Sequence, residues 1–222
     1  NTANFQGYKM TTSIIAGASG LVGTNILQQL CAQKKKVIAL SRRPLANLPS
    51  HASELIIDFD GLIKDGILPT CDHVFICLGT TIKIAGSQEQ FRQVDFEYCL
   101  GVAKKASASG AKTISLISSI GADSSSKNFY LKTKGELEEA IQKLGFTSVN
   151  IFRPSFLIGN GGRPRTLLEH VVMKIAKIMD VFFMGSARKY RSVDAELLAK
   201  TMISKKHAKP GINYYFFDDL LT

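Results

Sequence analysis

Two residues one helical turn apart, Tyr130 and Lys134, form a pair that could move a proton. A phenol with a pKa near ~10 is a poor base at neutral pH. An ammonium beside it favours the phenolate and brings proton exchange towards pH 7. The spacing in Tyr130-Leu-Lys-Thr-Lys134 puts both side chains on one helical face, and Leu137 and Ile141 continue that face, so it packs inward. Standing alone, such a pair is a common surface feature. Ahead of it, Thr113-Ile-Ser-Leu-Ile-Ser118-Ser119 reads as a strand ending in two hydroxyls. Either Ser118 or Ser119 could hold a substrate oxygen while a hydride moves.

A hydride carrier has an evident seat. Gly17-Ala-Ser-Gly20-Leu-Val-Gly23 follows the first apolar strand directly and opens the first helix. Gly17 permits the tight turn, Gly20 lets backbone approach a pyrophosphate, and Gly23 lets helix and strand pack closely. The free amides and positive end of that helix would face the anion. Gly17, Ser19, Gly20, Leu21, Val22 and Gly23 are therefore the candidate phosphate cradle. The second strand ends Ser41-Arg42-Arg43, where an NAD-selective site usually carries an acidic ribose ligand. A guanidinium offers a 2′-phosphate charge and paired donors. NADP(H) is thus the expected cofactor, ahead of NAD(H). Asp58, ending the third strand, is placed to bond an adenine amino group, and Leu78-Gly79-Thr80 ends the fourth strand beside the cofactor.

These groups need a frame, and the hydropathy pattern supplies one. Strand-like runs near Ser13–Ala16, Val37–Leu40, Leu55–Ile57, Val74–Cys77, Thr113–Ile117, Ser148–Phe152 and Asn213–Phe217 alternate with helical periods. Val22, Ile26 and Leu30 share one helix face, and Phe91, Val94, Tyr98 and Val102 mark a longer one. Alternation of this kind predicts an α/β fold, a doubly wound, mostly parallel Rossmann sheet with helices on both faces. The 222 residues read as one domain, with 1–9 as a leader and about 159–190 as a small C-terminal substrate lobe. An apolar fraction of 45% against 21% charged residues is enough to build a core. No run approaches the roughly 20 apolar residues of a membrane span. The net charge of +10 comes without a nucleic-acid motif, so no nucleic-acid partner is expected. Lys34-Lys35-Lys36 follows a helix end, where cations complement the dipole. The four cysteines lack metal-ligand spacing and read as reduced, packed thiols in a cytoplasmic protein, with no metal site.

Together these features resemble the short-chain dehydrogenase/reductase superfamily from Ile14 to about Arg163. The strings Cys77-Leu-Gly-Thr-Thr81, Ser118-Ser-Ile-Gly-Ala-Asp123 and Phe152-Arg-Pro-Ser155 are similar to its atypical branch, in the group of the HIV Tat-interacting oxidoreductase. The resemblance implies Tyr130 as proton donor/acceptor, Lys134 on the nicotinamide ribose, and Ser119 or Ser118 as orienter. It implies cofactor contacts from Leu157 and Arg163, a small-molecule carbonyl or alcohol substrate, and a protein partner or homo-oligomer. The sequence departs from the pattern in three ways. The serine–tyrosine gap is about two residues short, Asp95 stands where many relatives carry asparagine, and little chain follows Arg163 to form a substrate pocket. An NADP(H)-sensing binding protein uses the same cleft without turnover, and a nucleotide-sugar epimerase would need a larger lobe.

Overall fold

The computed structural model describes residues 11–159, 188, 190–205 and 208–220. In chain order these form β1 (Thr12–Ala16), α1 (Leu21–Ala32), β2 (Lys36–Ser41), β3 (Ala52–Ile56), α2 (Phe59–Lys64) and β4 (His73–Ile76). A short α3 (Ile82–Ala85) precedes one continuous helix made of α4 (Gln88–Arg92), a π-helical turn (Gln93–Tyr98) and α5 (Cys99–Ala108). Then come β5 (Thr113–Ile117), α6 (Phe129–Gln142), β6 (Ser148–Phe152), β7 (Leu157–Ile158), β8 (Val193–Asp194), α7 (Ala195–Ser204) and β9 (Gly211–Tyr215). The leader, most of the expected substrate lobe and Arg163 lie outside the described residues.

Among the described residues, one sheet runs β3-β2-β1-β4-β5-β6-β9 with every pairing parallel, and β7 pairs with β8 separately. All seven expected strands are present, with β3 and β9 starting earlier than the hydropathy runs. Alternate side chains of a strand point to opposite faces, so the apolar runs of β1 and β2 feed two cores. Ile14, Ala16, Ile38 and Leu40 join the cluster beneath α2, α5 and α6. Ile15, Val37 and Ala39 join the cluster beneath α1 and α7. The sheet is therefore doubly wound, and its parallel strands bring all their C-terminal tips to one pole.

The long helix differs from the regular stripe expected through Phe91, Val94, Tyr98 and Val102. Its buried positions are Phe91, Asp95, Cys99, Gly101, Val102, Ala103 and Ala106, while Val94 and Tyr98 are half-buried. A π turn adds a residue to the helical repeat and shifts its phase. That shift puts a carboxylate on the buried face.

Candidate functional site

The glycine turn is shaped by contact at every glycine. Gly17 sits at φ +90°, and a Cβ there would lie 2.6 Å from the Cys77 carbonyl oxygen. A Cβ on Gly23 would lie 2.1 Å from the Gly17 oxygen, which is how α1 starts so close to β1. Gly20 is less crowded, at 3.2 Å, and its N–H donates to the Gly17 oxygen at 2.9 Å. Gly20 is also the N-cap of α1, with no side-chain cap and no acidic residue in the first turn. Those uncapped amides fit a pyrophosphate. Ser19 is exposed, Leu21 half-buried and Val22 buried in the core, so Val22 has only backbone to offer.

Beside this turn lies a cleft of about 700 Å³ lined by Ser19, Thr24, Ser41, Arg42, Arg43 and Leu45, among others. Both guanidinium side chains are exposed along it. Glu54 on β3, which no spacing singled out, organises this rim. Its Oε1 accepts from the Ser41 hydroxyl at 2.7 Å and from the Leu45 N–H at 2.8 Å. Asp58 is exposed at the tip of β3, and its Oδ2 accepts the Gly61 N–H at 3.0 Å, capping α2. Leu157 is half-buried in β7 and packs against the cluster under α1.

At the tips of β4 and β5 the structure gathers a buried charge pair. Lys134 Nζ lies 2.7 Å from Asp95 Oδ1, and the side chains are only 5% and 1% exposed. Asp95 Oδ2 accepts the Thr80 N–H at 2.8 Å, which ties the Leu78-Gly79-Thr80 segment to the π turn. Burial alone would lower the Lys134 pKa, but Asp95, with Tyr130 and Cys99, outweighs it and holds the ammonium above the usual lysine value. Tyr130 is half-buried, with its ring centre 5.9 Å from Lys134 Nζ and 5.5 Å from the Phe91 ring.

The two serines have different surroundings. Ser118 is 5% exposed and donates to Glu138 Oε1. Glu138 also receives a two-pronged bond from Arg153, at 3.0 Å and 2.5 Å. Ser119 is half-buried, and among the described residues its hydroxyl bonds only locally, to the Ile120 oxygen at 3.3 Å. Gly135 lets the loop after β5 lie on α6, since a Cβ there would meet Ser124 N at 2.2 Å. Glu138 and Gly135 carried no signal separable from ordinary helix composition. Arg153 was visible only within a family-like string.

A parallel Rossmann sheet, a glycine turn opening a helix whose amides are uncapped, and a buried lysine beneath a tyrosine at the strand tips define a dinucleotide-binding α/β protein. Residues 17–176 match the NAD(P)H-binding family, and the chain belongs to it, with the atypical short-chain dehydrogenase/reductase form of the Rossmann fold. It is 33% identical over 210 residues to the mitochondrial protein FMP52 of Candida albicans, covering 91% of this chain and 90% of that protein. It is 38% identical over 152 residues to HTATIP2 of Rattus norvegicus, covering 65% and 62%. The human epimerase family protein SDR39U1 (isoform 2) with NADPH superposes with a TM-score of 0.65 at 17% identity, covering 92% of this chain and 74% of that one. The UDP-glucose 4-epimerase of Thermus thermophilus, in complex with NAD, gives 0.68 at 15%, covering 95% and 81%. These last two likenesses concern the fold. One holds NADPH and the other NAD, and the family match is to NAD(P)H binding without distinguishing the two. The expected cytoplasmic location is overturned, because FMP52 relatives from several yeasts are mitochondrial proteins by name. No helix among the described residues is long and apolar enough to cross a membrane.

Proposed function

We propose that the protein is an NADP(H)-dependent oxidoreductase that interconverts a carbonyl and an alcohol on a small molecule. The observation that carries this reading is the Lys134 ammonium, buried and fixed by Asp95 beneath Tyr130 at the strand tips. The nicotinamide, when bound, supplies or takes the hydride. Tyr130 exchanges the proton at the substrate oxygen, Lys134 supports the phenolate and the ribose, and Ser119 holds the oxygen. Ser119 is preferred because the Ser118 hydroxyl is spent on Glu138. Arg42 and Arg43 bind the 2′-phosphate at the rim that Glu54 braces, and the α1 amides take the pyrophosphate. The test is NADPH oxidation with a panel of aldehydes and ketones, comparing wild type with Tyr130→Phe. Turnover should fall by roughly 10²–10⁴, with NADPH affinity nearly unchanged because the ring remains. Equal turnover in both proteins would overturn the assignment.

One observation favours a second reading, an NADP(H)-sensing binding protein with little turnover. Asp95 already neutralises Lys134, so the pair has no net charge to offer a phenolate. In that case Tyr130→Phe is silent in every assay. A cofactor-dependent partner interaction would instead respond to changes at Gly20, Arg42 and Arg43.

A further inference from the structure

We propose that the pole of the sheet opposite the strand tips docks on an anionic lipid bilayer. The registers align the starts of the strands, from Lys36 and Thr12 through His73, Thr113, Ser148 and Gly211, so the connections entering them share one end of the molecule. Those connections carry Lys34, Lys35, Lys36, Lys112, Lys143 and Lys209, all exposed or half-exposed. Among the described residues none of the six forms an ion pair. The two acids in the described parts of these connections are engaged. Asp65 lies 4.0 Å from Lys64, and Asp72 accepts the Thr12 N–H at 2.8 Å. A depression of about 300 Å³ beside Lys34, Lys36, Ser50 and His51 gives a headgroup phosphate a place to sit.

An apolar anchor stands at the same pole. Ile67, on the connection from α2 to β4, is 86% exposed. Its neighbour Leu68 is buried, and the Leu68 carbonyl accepts the Ser109 hydroxyl at 2.7 Å, so the loop is pinned with Ile67 held outward. Ile212, near the start of β9, is half-exposed as well. Surfaces that grip nucleic acid combine arginine forks with aromatic platforms. The connections entering these six strands carry no arginine, Arg42 and Arg43 of the connection that supplies Ser50 and His51 lie at its far end beside the tip of β2, and Phe146 is buried. Lysines whose stems lie on acyl chains while their charges reach headgroups, around a protruding isoleucine, match a bilayer surface instead. Docked this way, the protein presents its cofactor cleft to the aqueous side.

The test is cosedimentation of the full chain with vesicles of phosphatidylcholine, with or without phosphatidylglycerol. Binding is expected only with phosphatidylglycerol and should weaken as salt is raised. Lys34→Glu, Lys35→Glu and Lys36→Glu together should weaken it roughly a hundredfold or more. Lys112→Glu with Lys209→Glu makes an independent second variant, and a thermal melt checks that each folds. Ile67→Ser leaves the charge alone and should still weaken binding roughly tenfold. Absence of phosphatidylglycerol-dependent binding, or wild-type binding by folded lysine variants, overturns the proposal. So does a silent Ile67→Ser combined with tighter binding to a DNA or RNA duplex.

Discussion

Replacing Asp95 by asparagine isolates the buried pair with a change of one atom. The carboxylate serves two donors, Lys134 Nζ on Oδ1 and the Thr80 N–H on Oδ2. An amide has one oxygen, so either the ammonium or the Thr80 N–H must face another N–H. Breaking a buried ion pair by removing one partner costs about 3–5 kcal/mol, and the one bond retained sets the low end, about 3 kcal/mol. An unfolding entropy of about 2.1 cal/mol/K per residue gives roughly 0.47 kcal/mol/K for 222 residues. The melting temperature should then drop by about 6 °C. Denaturant unfolding of Asp95→Asn, Lys134→Met and the double variant measures the coupling, and the double should lose less than the sum of the singles. The pH dependence has a definite sign. Lys134 is held above its usual value, so its contribution is fully present below the unfolded pKa near ~10.4 and is lost as pH rises through the folded value. In Asp95→Asn burial dominates and takes the folded value below the unfolded one, so the sign reverses and the variant should gain stability as pH rises through that window. Destabilisation below about 0.5 kcal/mol, with no coupling, would refute the buried pair.

Arg42→Ala with Arg43→Ala should erase the preference for NADPH over NADH in calorimetry, and unchanged selectivity would remove the 2′-phosphate assignment. Gly20→Val should abolish cofactor binding with little unfolding, because its Cβ meets the Gly17 oxygen at 3.2 Å, a tight contact that a shift of a few tenths of an ångström relieves, whereas Gly23→Ala, at 2.1 Å, should damage the fold itself. Thermal melts beside cofactor titrations separate the two. Ser118→Ala should cost stability, about 1.5–3 kcal/mol for a hydrogen bond to a charged group, while Ser119→Ala should cost turnover and leave the melt unchanged.

The frame was legible because the apolar runs of a buried parallel sheet and the glycine turn are local signals. Val37 to Leu40 is buried at every position, and a run of that kind needs no knowledge of its partners. The Tyr130–Lys134 spacing was legible for the same reason. What lay beyond the sequence depends on contacts between distant segments. Glu54 braces Ser41 and Leu45 across a strand pairing, and Glu138 on α6 captures Ser118 and Arg153 from the ends of two strands. The sequence could not separate Ser118 from Ser119, since adjacent hydroxyls differ only in which way the strand end turns them. The helix stripe failed at the π turn, because a periodicity of 3.6 assumes an unbroken phase.

That turn makes length, rather than composition, the quantity most tightly held in the long helix. Upstream of it Phe91 rests against Phe129 and Tyr130, and downstream Cys99, Val102 and Ala106 rest in the sheet core. The extra residue lets one rod meet two surfaces that a uniform helix would meet out of step. Deleting any one residue between Gln93 and Tyr98 would restore the ordinary repeat and rotate the upstream half by about 100° relative to the downstream half. Either Phe91 would leave the tyrosine or the core contacts would be lost. Point changes on the outer side of this stretch are cheap by comparison, so drift here should alter letters freely while leaving their number alone.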